Sequence, residues 1–326
     1  MIIASLLVAN RGEIAVRIIR AAADLGVTTT AVYSEDDANS LHVQMADRSV
    51  ALAGRGVPAY LDIDGIVAAA KEAGCDAVHP GYGFLAENSE LARACSAAGL
   101  TFVGPTAEVL DLFGDKGRAR AAAAEAEVPV TAGIDRAVTV DEAAEFLGSL
   151  GADGAMMLKA VAGGGGRGSR IVSPGDDVVE AFARCQSEAT SAFGNGDLFV
   201  EQLVARARHI EIQVVADHAG EVIHLGEREC SVQRRHQKII EMAPAINLPQ
   251  AARDEMQAAA VRLATHTGYT NIGTFEFLLD MDSGAFNFIE ANARLQVEHT
   301  VTEEVTGVDL VQTQIRLAGG ETLAAI

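Results

Sequence analysis

Positive charge is what this sequence has least of. It carries 25 Lys and Arg against 45 Asp and Glu, a formal net charge of −20 over 326 residues. Such a surface repels phosphate backbones and acidic bilayers alike, which excludes nucleic acid and membrane surfaces as partners. An anionic small-molecule substrate therefore needs a local basic pocket. Lysine is scarce even among the cations, with only Lys71, Lys116, Lys159 and Lys238. The four cysteines, Cys75, Cys95, Cys185 and Cys230, lack the close pairs that metal and redox motifs need, so they read as reduced thiols of a cytoplasmic protein. Proline is rare beside glycine, 7 against 32, which suggests tight turns rather than disordered linkers. Long apolar runs are also missing. The opening Met1–Ala9 has no basic leader and falls short of the roughly 18 residues of a membrane span, so it reads as a first strand.

At roughly 150 residues per domain the length suggests about two compact units. Short apolar runs alternate with helical stretches as far as residue 113: strands at Ser5–Ala9, Thr29–Tyr33, Ser49–Leu52, Ala77–His79 and Thr101–Val103, with helices at Glu13–Leu25, Asp64–Ala73 and Ser89–Ala98. That order implies a parallel sheet covered by helices on both faces. The alanine-rich stretch Lys116–Glu127, stopped by Pro129, reads as a connecting helix. A second unit follows, with strands at Ala155–Ala160, Ser169–Val172 and Leu198–Leu203 and helices near Val140–Leu150 and Asp177–Phe193. From about residue 204 the pattern turns antiparallel, with strands at His209–Ala216, Glu221–Arg228, Asn271–Asp280 and Phe286–Arg294 and a helix over Pro249–Thr267.

The glycine loop GGGGRG at 163–168 follows an apolar strand that carries Lys159. Glycines there let backbone N–H groups close on phosphate oxygens. A dinucleotide fingerprint must open a helix directly, whereas Ser169–Val172 reads as a strand, and no GK[ST] follows to make a Walker motif. A glycine-rich hairpin lid remains, or a plain surface hairpin. Lys159 within an apolar run favours the lid, because a half-buried ammonium needs an anion.

Period-two alternation places Glu276 opposite the aromatic face of Phe275 and Phe277, and puts Glu290, Asn292, Arg294, Gln296 and Glu298 on one face with Ile289, Ala291, Ala293, Leu295 and Val297 on the other. If Asp282-Ser283-Gly284 forms a three-residue hairpin loop, Glu276 faces Glu290 across it. Opposed carboxylates repel unless a cation lies between them, and an all-oxygen set with Asn292 beside it suits Mg²⁺ or Mn²⁺. Two solvated acids on an exposed sheet face are the alternative. His209, Glu211 and Gln213 make another polar strand face, and the stretch Arg228–Lys238 is a basic island in an acidic chain.

Together these residues resemble a known family. VANRGEIAVRIIRAA at 8–22, HPGYGFLAEN at 79–88, GDK at 114–116, LKAVAGGGGRG at 158–168, RHIEIQ at 208–213, ERECSVQRRHQKIIEMAPA at 227–245 and EANARLQVEHTVTE at 290–303 are similar to the biotin carboxylase component of biotin-dependent carboxylases, within the ATP-grasp superfamily. The resemblance implies an α/β and α+β protein: a Rossmann-like N-terminal domain at 1–113, a connecting helix at 114–130, an ATP-grasp lid at 131–203 and an antiparallel central body at 204–326, incomplete at its C-terminal end.

It further implies ATP bound between lid and body. Lys116 and Lys159 match phosphate contacts, Gly165 and Gly166 the loop above them, and Glu201, Gln202, Leu203 and Val204 the adenine segment. His209, Gln233 and His236 match further nucleotide contacts. Glu276, Glu290 and Asn292 match ligands of Mg²⁺ or Mn²⁺, two ions in all. Lys238, Arg294, Gln296 and the Val297 backbone match the bicarbonate site, with Glu298 as the base and Arg294 and Lys238 as catalytic cations. The implied chemistry is attack of bicarbonate on ATP to form carboxyphosphate, then carboxylation of biotin.

Two departures stand out: Gln202 where the family usually has Lys, and Thr300 where it usually has Pro. Relatives also continue past residue 326 with an arginine that engages biotin. No lysine here is flanked by methionines, so biotin is expected on a separate carrier domain or protein, with a carboxyltransferase as a further partner. The expected assignment is the first half-reaction of an acyl-CoA carboxylase. A carbamoyl phosphate synthetase-like ligase and a nucleotide-binding fragment without turnover are the rivals.

Overall fold

The computed structural model describes residues 3–162, 168–234 and 237–326. Its first sheet is wholly parallel, in the order β3-β2-β1-β4-β5, from β1 (Ser5–Val8), β2 (Thr28–Tyr33), β3 (Arg48–Ala51), β4 (Ala77–His79) and β5 (Thr101–Phe102). Helices α1 (Gly12–Asp24), α2 (Leu41–Met45), α3 (Ile63–Glu72) and α4 (Ser89–Ala97) connect the strands. Helix α1 buries Ile14, Ala15, Ile18, Ile19 and Ala22, a stripe at helical spacing against the sheet. Asp62 and Asn88 cap α3 and α4 through side-chain oxygens. Because β1 lies between β2 and β4, the strand order reverses there and opens a crevice at the C-terminal ends.

Helices α5 (Ala107–Gly114) and α6 (Lys116–Glu125) lead out of this layer. The second sheet, β6-β9-β7-β8, contains β6 (Gly133–Ile134), β7 (Met156–Ala160), β8 (Ser169–Val172) and β9 (Leu198–Gln202), covered by α7 (Val140–Ser149) and α8 (Val178–Phe193). A capping box between Thr139 and Glu142 starts α7. The third sheet is antiparallel, in the order β12-β11-β10-β13-β14. Its strands are β10 (Ala207–Ala216), β11 (Val222–Arg234), β12 (Gln237–Met242), β13 (Asn271–Asp280) and β14 (Phe286–Asn292). Helix α9 (Gln250–His266) packs behind it, and α10 (His299–Thr306) and α11 (Leu310–Ala318) follow β14.

The largest core lies under the third sheet, where Phe113, Tyr269, Phe275, Phe277, Phe286 and Phe288 pack largely edge to face. The fold class expected from the sequence, a parallel α/β layer followed by an ATP-grasp lid and antiparallel body, is the one observed. Among the described residues no helix is long and apolar enough to cross a membrane.

The last hairpin differs in detail from expectation. Glu276 does pair with Glu290, but Phe277 pairs with Phe288 and Leu279 with Phe286, so a bulge at Ile289 interrupts the ladder. The loop is correspondingly one residue longer, 281–284, closed by Gly284 N–H donating to Asp280 O, with Gly284 in the left-handed region at φ +74°. The bulge also corrects the expected faces. It puts Ile289 into the cleft and Phe286 and Phe288 into the core. Strand β14 ends at Asn292, not Arg294, so the polar run beyond it is carried by a loop leading into α10.

Candidate active site

A cleft of about 590 Å³ separates the second sheet from the third. Every site residue expected from the sequence that the structure describes lines it: Lys116, Lys159, Glu201–Val204, His209, Gln233, Lys238, Glu276, Glu290, Asn292, Arg294, Gln296, Val297 and Glu298. Gly165, Gly166 and His236 lie outside the described residues. Three of the four lysines of an acidic chain thus face one cavity, joined by Arg120 and Arg294 and matched by five glutamates, Glu201, Glu241, Glu276, Glu290 and Glu298, so positive charge is concentrated here without an excess of it.

On the floor of the cleft, Lys238 on β12 reaches three carboxylates. Its Nζ donates to Glu211 Oε2 at 2.5 Å, Glu276 Oε1 at 3.0 Å and Glu298 Oε1 at 2.7 Å. Glu211 and Glu276 stand side by side on β10 and β13, which pair at that position. Burial pushes the ammonium down, but the acids outweigh it and hold Lys238 above the ordinary lysine range. Glu276 is the most heavily bonded acid: Asn292 Nδ2 donates to its Oε1 at 2.8 Å and Gln296 Nε2 at 3.1 Å, while His209 Nε2 lies 2.7 Å from Oε2. Burial pushes its carboxyl up, yet His209 and Lys238 hold it well below the usual carboxylate range. Burial likewise pushes Glu298 up, and Lys238 brings it below the usual range. His209 is lowered by burial but raised on balance by Glu276; Gln233 Nε2 closes the chain at 2.8 Å from its Nδ1.

The opposed acids Glu276 and Glu290 are each relieved by a lysine, Glu276 by Lys238 and Glu290 by Lys116 at 3.6 Å. Lys116 is the first residue of α6, aimed by the Asp115 cap, whose side chain accepts from Arg118 N. On the opposite wall Lys159 is paired with Glu201 across β7 and β9. Arg294 is fixed on three sides: Nε donates to Glu87 at 2.8 Å, Nη2 to Asn292 Oδ1 at 2.9 Å and Nη1 to Leu295 O at 3.1 Å. Burial lowers it and Glu87 outweighs that, so it stays fully cationic.

Four residues matter here that the sequence did not single out. Glu211 had been read only as part of a polar strand face and Arg228 as part of a basic island. In fact Arg228 is fully buried and donates to Glu211 at 2.5 Å, Gln213 at 2.8 Å, Thr302 at 2.8 Å, Thr274 at 3.1 Å and Gln296 at 3.1 Å. Arg120 supports Glu201 from behind, and Glu87 supports Arg294 from the first layer. The available signal was parity: Glu211 alternates with Ile210 and Ile212, in register with Glu276.

Donor atoms of His209, Glu211 and Glu276 lie within 4.8 Å of one another, as do those of Glu211, Cys230 and Glu298. Lys238 bonds to acids of both groups and occupies the position between them, offsetting part of their charge. Glu276 and Glu290, opposed across β13 and β14, offer carboxylate oxygens that fit a hard divalent cation, whereas Asn292 turns its Nδ2 to Glu276 and its Oδ1 to Arg294 and would join them only with its amide reversed.

Residues 2–110 match the family model for the biotin carboxylase N-terminal domain, and residues 115–326 the model for the carbamoyl-phosphate synthase L chain ATP binding domain. The structure also superposes on the β,γ-ATP complex of biotin carboxylase from Campylobacter jejuni with a TM-score of 0.95 and 43% identity, covering 98% of this chain and 72% of that one. The chain belongs to the biotin carboxylase family. A second biotin carboxylase, the domain of 2-oxoglutarate carboxylase from Hydrogenobacter thermophilus solved with MgADP, ADP and bicarbonate, gives 0.95 at 45% identity over 99% of this chain and 71% of that one. Among curated relatives, pyruvate carboxylase 1 of Caenorhabditis elegans is 54% identical over 97% of this chain, and human mitochondrial pyruvate carboxylase 50% over 98%. The chain spans 27% of the length of each. Within that family, the chain matches one module of longer multidomain carboxylases.

Proposed function

We propose that this chain performs the ATP- and bicarbonate-dependent carboxylation of biotin carried on a separate domain or protein, with residues 131–203 as a lid over the body at 204–326. The observation that carries the reading is the convergence of residues 116 to 298 on one lysine- and glutamate-lined cleft between those two parts. Lys116 and Lys159 bind the phosphates, Glu201–Val204 hold the adenine, and His209 and Gln233 complete the nucleotide site. Glu276, Glu290 and Asn292 hold Mg²⁺ or Mn²⁺, which when bound offsets phosphate charge.

Glu298 acts as the base that takes the bicarbonate proton, and its depressed pKa keeps it ionised and ready at neutral pH. Arg294 presents a planar fork to the bicarbonate anion, with Gln296 and the Val297 N–H beside it. Bicarbonate oxygen then attacks the γ-phosphorus, ADP leaves, and carboxyphosphate forms; its breakdown yields CO₂ and phosphate, the phosphate takes the proton from biotin N1′, and N1′ adds to CO₂ to give carboxybiotin. Lys238 holds the acids ionised and helps balance charge on the transferring phosphoryl group.

The final acceptor belongs to a carboxyltransferase partner. The likeness to pyruvate carboxylases favours a 2-oxo acid over the acyl-CoA expected from the sequence. A cytoplasmic setting rests on four buried, unpaired cysteines. The test is bicarbonate-dependent release of phosphate from MgATP in the presence of free biotin, beside calorimetric nucleotide binding. Glu276→Gln should weaken metal-dependent ATP binding at least tenfold, whereas Glu298→Gln should leave binding within a few fold and abolish turnover. Equal loss of binding in both variants would undo these roles, and nucleotide hydrolysis indifferent to bicarbonate would undo the assignment.

A further inference from the structure

Lys159 and Glu201 form an ion pair on the lid wall of the cleft, between β7 and β9. The two partners differ in access: the Lys159 side chain is 25% exposed and the Glu201 side chain only 6%. Behind Glu201 stands Arg120, its side chain 3% exposed, with Nη1 3.8 Å from Glu201 Oε2. Arg120 lies one turn after Lys116 on α6, so the two cations share a helix face. Its hydrogen bonds go elsewhere: Nε to Asp135, Nη1 to Thr131 Oγ1 at 2.9 Å and Nη2 to Thr131 O at 2.5 Å. Toward Glu201 it contributes charge rather than a hydrogen bond.

We propose that Arg120 is a positioning residue for nucleotide binding, holding Glu201 neutralised while Lys159 exchanges that carboxylate for a phosphate. This rests on the nucleotide-binding reading above. Lys159 is the only one of the three that the cleft can draw outward, since Arg120 and Glu201 are enclosed. Once its ammonium turns to a phosphate, Glu201 is left as a buried carboxylate, a state that is strongly unfavourable without a compensating cation. Arg120 is already in place to supply one. The same guanidinium ties Thr131 and Asp135, on either side of β6, to α6, and β6 pairs with β9 at Gly133 and Glu201. Glu201 leads directly into Gln202–Val204, which line the cleft.

Calorimetric titration of the whole chain with MgADP, across four variants, tests this. Arg120→Met should weaken binding at least tenfold, and Arg120→Lys, which keeps the charge, should stay within threefold of the parent. Glu201→Gln alone should tighten binding, because Lys159 loses the anion that competes with phosphate. The double variant Arg120→Met with Glu201→Gln should return to within threefold of the parent. A purely structural role predicts the opposite: the double variant would be as weak as Arg120→Met, since both lack the ties to Thr131 and Asp135, and that result overturns the inference. If Arg120→Met does not fold, as judged by its thermal midpoint, the other singles decide, and weaker binding by Glu201→Gln refutes the exchange. Failure of the parent to bind MgADP would instead overturn the functional reading itself.

Discussion

Lys238 is the residue on which the acid cluster depends. Glu211, Glu276 and Glu298 converge on its ammonium; among the described residues Arg228, behind Glu211, His209, beside Glu276, and Arg294 add further positive charge. Removing Lys238 should therefore change how its neighbours titrate. In the parent, Glu298 ionises below the usual carboxylate range despite its burial. Its contribution to stability is thus present above the unfolded pKa and is lost as pH falls through the lower folded value. In Lys238→Met the largest opposition to burial is gone and only weaker lowering influences such as Arg228 remain, so the Glu298 carboxyl should titrate higher than in the parent and its acid-side stability should shrink. Carbon-13 NMR titration of the labelled carboxyl checks this; an unchanged midpoint would show that Lys238 does not set it. The sequence exposed Lys238 and Glu298 because they fall in dense motifs. It concealed Arg228, because an arginine in a polar stretch is ordinarily solvated and only the third dimension shows five acceptors around it.

At the scale of elements, strict alternation was the tool that both found and misjudged the last hairpin. It paired Glu276 with Glu290 correctly. Yet Phe286 and Phe288 share the parity of Glu290, so an unbroken ladder would have turned two aromatic rings into the cleft. The bulge at Ile289 resolves that conflict by shifting parity between Phe288 and Ala291. Both signals were in the sequence, but alternation gives no place for the extra residue. The alternating polar run past Asn292 also masked the start of α10, because loop residues Arg294 and Gln296 mimic a strand's period. Strand β12 was missed for another reason: its Ile239 and Ile240 are exposed, leaving no buried face to read.

Helix α6 carries its own prediction. It approaches the 131–135 segment so closely that a Cβ on Gly117 would stand 2.4 Å from Asp135 O, a backbone atom that cannot swing aside. Gly117→Ala should therefore cost about 1–3 kcal/mol as overpacking. It should also weaken MgADP binding, because the helix would move with Lys116 and Arg120 on it. Thermal unfolding and calorimetry read the two effects separately, and a variant with parental stability would show that the approach is relaxed in solution.

Across the whole molecule, the parallel layer and the antiparallel body share a buried apolar cluster, with Ile14 and Ile18 of α1 beside Ile272, Leu310 and Ile315, and ion pairs add to it. Arg17 of α1 pairs with Glu303 and Asp309 of the body at 2.8 and 2.7 Å. Glu87, in the segment after β4, reaches Arg294 across 207 positions of sequence. Both motifs were visible in the chain, at 79–88 and 290–303, but no local pattern could say that they touch. The contact gives the first layer a task in the chemistry: it orients the arginine proposed to receive bicarbonate. Glu87 is nearly half exposed, and such a pair contributes only about 0.2–1 kcal/mol, so Glu87→Gln should leave the thermal midpoint almost unmoved. The same range corresponds to a roughly 1.4- to fivefold rise in the KM for bicarbonate. Nucleotide affinity should stay at the parental value, since Lys116, Lys159 and Glu276 keep their partners. Steady-state kinetics with bicarbonate varied at saturating ATP makes the comparison, and a KM unchanged in the variant would mean that Asn292 and Leu295 alone hold Arg294 in place.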